Sequence, residues 1–235
     1  MLMNDRDIVR QSAEAVEHAI TSRRATRAFL PTPVDPALLH RLIEVASRAP
    51  SGTNMQPWKL RVIGQQTRAR LESALLAALD DPGFVQSEEY RYYPETFREP
   101  YLSRRRKVGW DLYGLLGVAK GDVAGMKRQS AANLRFFDAP VALMLTVDRD
   151  LEIGSWIDLG MFLQSLLIAA QGHGLQSCPQ AIFARFHPVV RRELAIPESE
   201  IVVCGVAIGH ADPAAPQNGL VAERQPVEGF TTWLD

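Results

Sequence analysis

Three arginines stand within five residues, in the segment Arg23-Arg24-Ala25-Thr26-Arg27 directly after a predicted helix. Guanidinium groups at this density can hold a phosphate through several charge-assisted hydrogen bonds. They can also place positive charge beside a ring that becomes anionic on reduction. A basic cluster at a helix C-terminus is equally compatible with a solvated surface that interacts favourably with the helix dipole. The segment alone leaves an anion site and a plain surface cluster open.

A second polar segment, residues 49–58, ends the next predicted helix and reads APSGTNMQPW. Its loop amides, hydroxyl groups and side-chain amides are groups that recognise the carbonyl and imide edges of a planar ring. A capped turn that leads into a strand has the same composition. This segment alone therefore leaves a ring-binding loop and a simple turn open.

The sequence excludes several other kinds of site. No G-x-G-x-x-G motif follows a strand and no glycine-rich loop ends in Gly-Lys-Ser/Thr, so neither a Rossmann unit nor a P-loop is expected. The five histidines are scattered and the two cysteines, Cys178 and Cys204, lack ligand spacing, so we predict no metal site. A formal net charge of −1 argues against nucleic acid or membrane as a partner. The sparse cysteines and the lack of a signal-like segment favour the cytoplasm.

Hydrophobic periodicity predicts the elements that position these segments. Apolar residues at helical spacing predict a helix over 5–21, and Asp35 followed by Pro36 predicts the start of the next helix. The pattern also predicts strands at 58–63, 139–147, 175–178 and 201–208, and helices at 66–79, 156–171 and 189–194. This order predicts a mixed fold in which helices pack on a small sheet.

Residues 81–127 are predicted to be an excursion from the core, part loop and part helix. Eight aromatic residues fall between Phe84 and Tyr113, interspersed with arginines. Such aromatic residues commonly pack on a core or cover it. As a set they also suit a planar, electron-poor acceptor, through stacking and cation–π contact. On the second interpretation we predict that Trp110, Tyr113 and Arg104 contact the substrate.

The C-terminal segment, residues 212–235, carries prolines and scattered apolar residues. It cannot form the centre of a sheet, because proline has no backbone N–H. Phe230 and Trp233 nevertheless call for burial. We therefore predict an arm that lies across the other subunit of a homodimer.

Taken together, these segments resemble the FMN-dependent nitroreductase family. The motifs that carry the resemblance are RRATRAF at 23–29, APSGTNMQPW at 49–58, NLRFFDAP at 133–140, DLG at 158–160 with Gln164, and RQP at 224–226. They span nearly the whole chain, as one domain over 1–235. The resemblance implies an α+β, nitroreductase-like fold with a central mixed or antiparallel sheet surrounded by helices. It also implies an intertwined homodimer with FMN sites at the interface and an exchanged C-terminal arm.

The resemblance further implies which residues bind FMN. The set is Arg23, Arg24, Ala25, Thr26, Arg27, Pro50, Ser51, Gly52, Asn54, Asn133, Gln164, Pro179, Gln180 and Arg224. The arginines are expected at the phosphate, the ribityl chain and the pyrimidine edge. The loop at 50–54 is expected to reach the flavin from the partner chain, and Pro179 and Gln180 to meet its reactive edge. Two departures each remove one contact: Ala25 stands where many members carry Ser, and Ala222 where some carry Lys.

The activity implied by the resemblance is NAD(P)H-dependent reduction of nitroaromatic compounds by an FMN enzyme. Because no Rossmann unit is present, donor and acceptor are expected to use one slot in turn, with ping-pong hydride transfer. Arg24 or Arg27 is expected to stabilise the reduced ring, and no side chain need act as acid or base. The alternatives are quinone or enone reduction, reductive dehalogenation, or a non-enzymatic flavin-binding dimer.

Overall fold

The computed structural model describes residues 5–234, and in it helices cover both faces of a four-stranded sheet. The helices are α1 (Asp5–Ser22), α2 (Pro36–Ala46), α3 (Gln65–Asp80), α4 (Tyr101–Leu115), α5 (Val123–Leu134), α6 (Ile153–Gly172), α7 (Ile182–Arg185) and α8 (His187–Leu194). The strands are β1 (Lys59–Val62), β2 (Val141–Asp148), β3 (Gln176–Gln180) and β4 (Glu200–Gly209). Short 3₁₀ turns lie at Gly52–Asn54, Phe136–Asp138, Pro216–Gly219 and Val227–Gly229.

The strands are arranged in the order β1-β2-β4-β3, and each neighbouring pair is antiparallel. The two central strands are buried along nearly their whole length. Because both faces of these strands are covered, their sequences are apolar runs rather than alternating patterns. At Gly205 of β4 a side chain would collide with the ring of Phe183 in α7. Glycine at this position therefore allows α7 to pack directly on the sheet.

Two apolar clusters hold the helices on the sheet. One includes Leu71, Leu134 and Phe183 and lies against α3, α5, α7 and α8. The other includes Leu42 and Phe162 and lies against α2 and α6. Each fully buried side chain of this kind contributes about 1.5–3 kcal/mol to folding. β3 is left at the edge of the sheet, where other chain segments can reach it.

By length and composition, helix α6 could span a membrane. In the fold it packs on the sheet instead, with Leu159, Phe162 and Leu166 buried. It also carries Asp158 and Gln164. The helix therefore belongs to the core of a globular fold, as the sequence predicts.

The excursion at 81–127 contains α4 and the start of α5. The periodicity analysis does not predict α5, because only Gly125 and Leu134 of this helix are buried and the apolar pattern is weak. The helix begins where the Asp122 side chain accepts a hydrogen bond from the Gly125 N–H at 2.8 Å. The short helix α7 is also absent from the sequence prediction. The other predicted elements are present, with ends shifted by a few residues.

The C-terminal segment is tied down near its start and exposed further on. Asn218 Oδ1 accepts a hydrogen bond from the Arg27 N–H at 2.8 Å, and Asn218 Nδ2 donates to the Ala28 carbonyl at 2.8 Å. Phe230 and Trp233 are 69% and 80% exposed. Both residues lie beyond Asn218, which ties the segment to the backbone of Arg27 and Ala28.

Candidate functional site

The arginine segment that follows α1 lines a cavity at the free edge of β3. The Thr26 N–H donates to the Ser177 carbonyl at 3.1 Å, so the segment runs alongside the strand. The cavity has a volume of about 480 Å³. Its walls include Arg23, Arg24, Ala25, Arg27, Val108, Leu220, Ala222 and Arg224. The fold therefore brings together the four arginines that the resemblance implies, although one of them is near the other end of the chain.

None of these four arginines forms an ion pair with the part of the chain that the structure describes. Arg27 Nη1 donates to the Ala25 carbonyl at 3.2 Å, and Arg224 Nη1 to the Ala222 carbonyl at 2.9 Å. Arg23 Nε is buried without a hydrogen-bond partner. Clustered guanidinium groups repel one another, and an unpartnered buried donor is destabilising. An anion such as a phosphate would satisfy both conditions.

A second cavity of about 270 Å³ adjoins the first, because Arg27 lines both. On its wall Gln180 is only 2% exposed. Gln180 Nε2 donates to the backbone carbonyl and to Oδ1 of Asn133, both at 2.7 Å. Gln180 Oε1 is therefore left buried without a partner and can accept from a ring N–H. With Pro179 and Phe137 on its apolar walls, the cavity suits one polar edge of a planar ring.

A turn of left-handed backbone shapes this wall. The three residues Phe136–Asp138 have φ values between 53° and 60°, which costs of order 1–3 kcal/mol per residue when the residue is not glycine. Arg68 stabilises the turn, since its Nη2 donates to the Arg135 carbonyl at 2.9 Å and its Nη1 to the Ala139 carbonyl. The turn fixes Phe137 in the cavity wall.

The loop at 50–54 lies elsewhere on the molecule. The Gly52 N–H donates to both carboxylate oxygens of Asp158 at 3.2 Å, which fixes the loop on α6. Thr53 and Asn54 have φ values of 48° and 62°, so this loop is also held in a left-handed conformation. The loop lines neither cavity that contains Arg27. Its expected contact with the partner's flavin stays a prediction.

Two further residues of the implied set make no direct contribution to the two cavities in this chain. The Thr26 side chain is buried, and the residue contributes its backbone to the edge of β3. Gln164 is exposed on α6. Its expected contact with FMN also stays a prediction.

Three tyrosines from the first part of the excursion wall the second cavity. They are Tyr90, Tyr92 and Tyr93. The Tyr90 hydroxyl donates to the Val203 carbonyl at 2.6 Å, and its ring contacts Trp156 with centroids 4.5 Å apart. Beyond Tyr90 and Tyr92 lies a third, mostly apolar cavity of about 630 Å³, which shares Pro179 and Gln180 with the second. Of the three tyrosines, Tyr90 and Tyr92 therefore line both spaces.

The predicted substrate contacts Trp110, Tyr113 and Arg104 line neither of these two spaces in this chain. Trp110 is 68% exposed on α4, and Arg104 donates to the side chain of Gln225. Helical spacing favours α4 as the presenting element, whereas the tyrosines lie in a loop without periodicity. The aromatic composition identifies the region that borders the cavities, but only the fold shows which of its side chains line them. Contact of α4 with a substrate stays a prediction.

A buried carboxylate anchors the tyrosine loop. Glu89, with a side chain only 8% exposed, accepts hydrogen bonds from Arg149 Nη2 at 2.5 Å, Arg191 Nη2 at 2.6 Å and the Val202 N–H at 3.2 Å. Burial alone would raise the pKa of Glu89. The bonds from Arg149 and Val202, with the charges of His187 and Arg191, outweigh burial and hold that pKa below its usual value. Glu89 is therefore ionised at neutral pH.

Beside this carboxylate, His187 is largely buried, with Nδ1 3.6 Å from Glu89 Oε2 and without a hydrogen-bond partner. Ser87 Oγ lies 2.8 Å from His187 Nε2. Burial lowers the pKa of His187 despite the neighbouring carboxylate, and Arg191 and Arg149 act in the same direction as burial. The imidazole therefore favours its neutral form.

Cys178 also lines the second cavity. Burial raises the pKa of its thiol to about 11, against the opposing charges of Arg27 and Arg23. The thiol is therefore protonated at neutral pH. This agrees with the sequence, which has no nucleophile motif around either cysteine.

Comparison with known proteins places this geometry in one family. The nitroreductase family profile matches residues 20–210. The chain is 39% identical to 4-nitrobenzoate reductase of Pseudomonas putida, over 92% of this chain and 93% of that protein. It is 36% identical to nitrobenzene nitroreductase of Ectopseudomonas oleovorans, over 93% and 96%. The crystal structure of the FMN and NADPH-dependent nitroreductase NfnB from Sphigopyxis sp. strain HMH superposes with a TM-score of 0.91 at 40% identity, covering 94% of this chain and 99% of that one. The chain therefore belongs to the nitroreductase family.

Proposed function

We propose that this protein is an FMN-dependent NAD(P)H oxidoreductase that reduces nitroaromatic compounds. The observation that carries the proposal is the cavity lined by four arginines, none of which has a carboxylate partner among residues 5–234. This cavity shares Arg27 with a second cavity, which is large enough for a planar ring. A phosphate at one end and a flat ring at the other match FMN. The names of the similar proteins support the same cofactor and the same class of acceptor.

The residues of this chain divide the binding of FMN between two ends. Arg23, Arg24 and Arg224 would hold the phosphate, and Arg27 would reach towards the pyrimidine edge of the ring. Gln180 Oε1 would accept a hydrogen bond from the ring imide. Bound FMN supplies the hydride chemistry, passing two electrons at a time from NAD(P)H to the acceptor.

The protein's contribution is to position both substrates and to exclude water. Arg27 places positive charge where negative charge develops on the reduced ring, which stabilises the reduced state. The tyrosines at 90–93 close the slot with aromatic walls that stack on a planar acceptor. NAD(P)H and the nitro compound would use the same space beside the ring in turn, so NAD(P)H must leave before the nitro compound enters. With one hydride and one proton from water, a nitro group becomes a nitroso group and releases water.

The site is incomplete in a single chain, and this supports a homodimer. The loop at 50–54 is preformed but lies away from the arginine cavity. Apolar side chains on α1 and α6 are also left exposed, such as Val9 at 68% and Ile157 at 65%. A second copy that covers these faces would place its own loop at 50–54 and its C-terminal arm against this chain. We further expect the enzyme to work in the cytoplasm, which suits the two free thiols.

The proposal is tested on the purified protein. We expect a flavin absorption band, release of FMN on denaturation, bleaching by NADPH without oxygen, and recovery of the band when a nitroarene is added. Recovery with quinones or halogenated phenols but not with nitroarenes would point to the alternative flavin reductions. A flavin that NAD(P)H does not bleach would indicate a flavin-binding protein without this activity. Protein that takes up no FMN would overturn the proposal entirely.

A further inference from the structure

We propose that Arg185 binds the carboxylate of an acidic nitroaromatic acceptor, and that Glu88 weakens this binding. The inference rests on the proposed function, because it places an acceptor against the bound flavin at the mouth of the second cavity. It adds a choice between charged and neutral acceptors that aromatic walls alone do not make.

The two side chains meet at the mouth of that cavity. Arg185 ends α7, and its carbonyl accepts a hydrogen bond from the Ser87 N–H at 3.3 Å, so the loop carrying Glu88 lies along the helix. Arg185 Nε lies 3.6 Å from Glu88 Oε1, a long ion pair. Neither Nη atom of Arg185 has a hydrogen-bond partner among residues 5–234. The guanidinium therefore keeps the two donors that bind a carboxylate in a bidentate manner.

The positions and partners of the other arginines near this cavity favour Arg185 as the residue that binds the carboxylate. Of the residues that line the second cavity, the other cation is Arg27, which sits at the opposite end, towards the arginine cavity. Arg91 lines the neighbouring apolar space but pairs with Glu95 at 3.0 Å. An acceptor ring stacked on the flavin at the mouth of this cavity, with its acid group directed to solvent, would present that group to Arg185.

Glu88 has the opposite effect on the same ligand. Its carboxylate occupies one side of the guanidinium and repels a second carboxylate there. Because the side chains of Arg185 and Glu88 are 57% and 41% exposed, water and salt screen both effects. We therefore expect moderate changes in rate that shrink as ionic strength rises, and little effect on neutral acceptors.

The test compares 4-nitrobenzoate with nitrobenzene as oxidants of the NADPH-reduced, FMN-loaded enzyme, mixed anaerobically. We expect Arg185→Gln to lower the second-order rate constant for 4-nitrobenzoate about 3- to 5-fold, and Glu88→Gln to raise it about 2- to 3-fold. In both variants the second-order rate constant for nitrobenzene should stay within about twofold of the value for the unaltered enzyme. The control is Arg192→Gln, since Arg192 is an exposed arginine paired with Glu193 at 2.9 Å on the next helix.

The outcomes separate this inference from the proposed function. Equal losses for both acceptors in Arg185→Gln would show that the arginine only supports the wall, and would overturn the inference. So would an unchanged rate for 4-nitrobenzoate in both variants while nitrobenzene is reduced normally. If neither compound oxidises the reduced, unaltered enzyme, the proposed function fails, and the inference fails with it.

Discussion

Replacement of Glu89 by glutamine should loosen the tyrosine loop without removing FMN. The substitution leaves the 10% exposed side chain of Arg191 with only a long ion pair, 3.9 Å from its Nε to Oε1 of the exposed Glu198, while Arg149, at 41%, can turn to water. Breaking a fully buried pair costs about 3–5 kcal/mol. Arg191 also keeps a bond to the Glu200 carbonyl at 2.8 Å. We therefore expect a loss of about 2–3 kcal/mol in the free energy of unfolding, at or just below the lower end of the range for a fully buried pair.

The assay is urea unfolding of the FMN-loaded protein at fixed protein concentration, with kinetics of the neutral acceptor nitrobenzene measured beside it. Glu88→Gln is the matched control, because Glu88 is the adjacent acidic residue and is exposed. We expect Glu89→Gln alone to lower the urea midpoint and to raise the acceptor KM, with the flavin content unchanged. The folded-state pKa of Glu89 is depressed, so its stabilisation is present above the unfolded pKa, near 4.3, and is lost as the pH falls further. A loss below about 0.5 kcal/mol at pH 7, or no change in acceptor KM, would refute the reasoning.

Four other substitutions test separate parts of the site. Arg224→Ala should weaken FMN binding roughly 10- to 100-fold but riboflavin binding less than about twofold, because only FMN carries the phosphate; equal losses for both flavins would exclude a phosphate contact. Tyr92→Ala should lower acceptor kcat/KM about 3- to 10-fold at full flavin occupancy, as stacking is lost. If Trp110→Ala changes acceptor preference more than Tyr92→Ala, then α4 reaches a slot, as the sequence predicts. The folded-state pKa of His187 is lowered, so its stabilising effect is present above the unfolded pKa of about 6.5 and is lost as the pH falls through the folded value. His187→Gln should therefore flatten the fall in thermal stability below pH 6.5, and an unchanged profile would contradict this.

The sequence predicts the parts of this protein that depend on local pattern. The apolar run at 139–147 is β2, and the motif at 23–27 lies at a cavity with Arg224. Two features depend on tertiary context and cannot be predicted from a single sequence. Non-glycine residues in left-handed backbone at Phe136–Asp138 carry no recognisable turn signal, because Arg68, distant in sequence, stabilises them. The tyrosines at 90–93 have no periodicity to show which way they face.

A further limit concerns α5 and the loop at 50–54. Helix α5 buries too few residues to give an amphipathic pattern. The loop has a clear composition, yet its predicted target, the partner's flavin, lies outside the chain that carries it. A single sequence contains no signal for the distance between subunits, so the resemblance alone supplies that assignment.

The tie between Asn218 and Arg27 has a consequence for how the protein behaves on dilution. One amide side chain fixes the base of the C-terminal arm to the backbone of the residue shared by both cavities. If the arm packs on a second subunit, dissociation of the subunits also removes the contacts that hold the segment carrying Arg224. Subunit association and FMN retention are then thermodynamically linked, so each strengthens the other by the same factor. The fraction of protein that holds flavin should therefore depend on protein concentration even when free FMN is held constant.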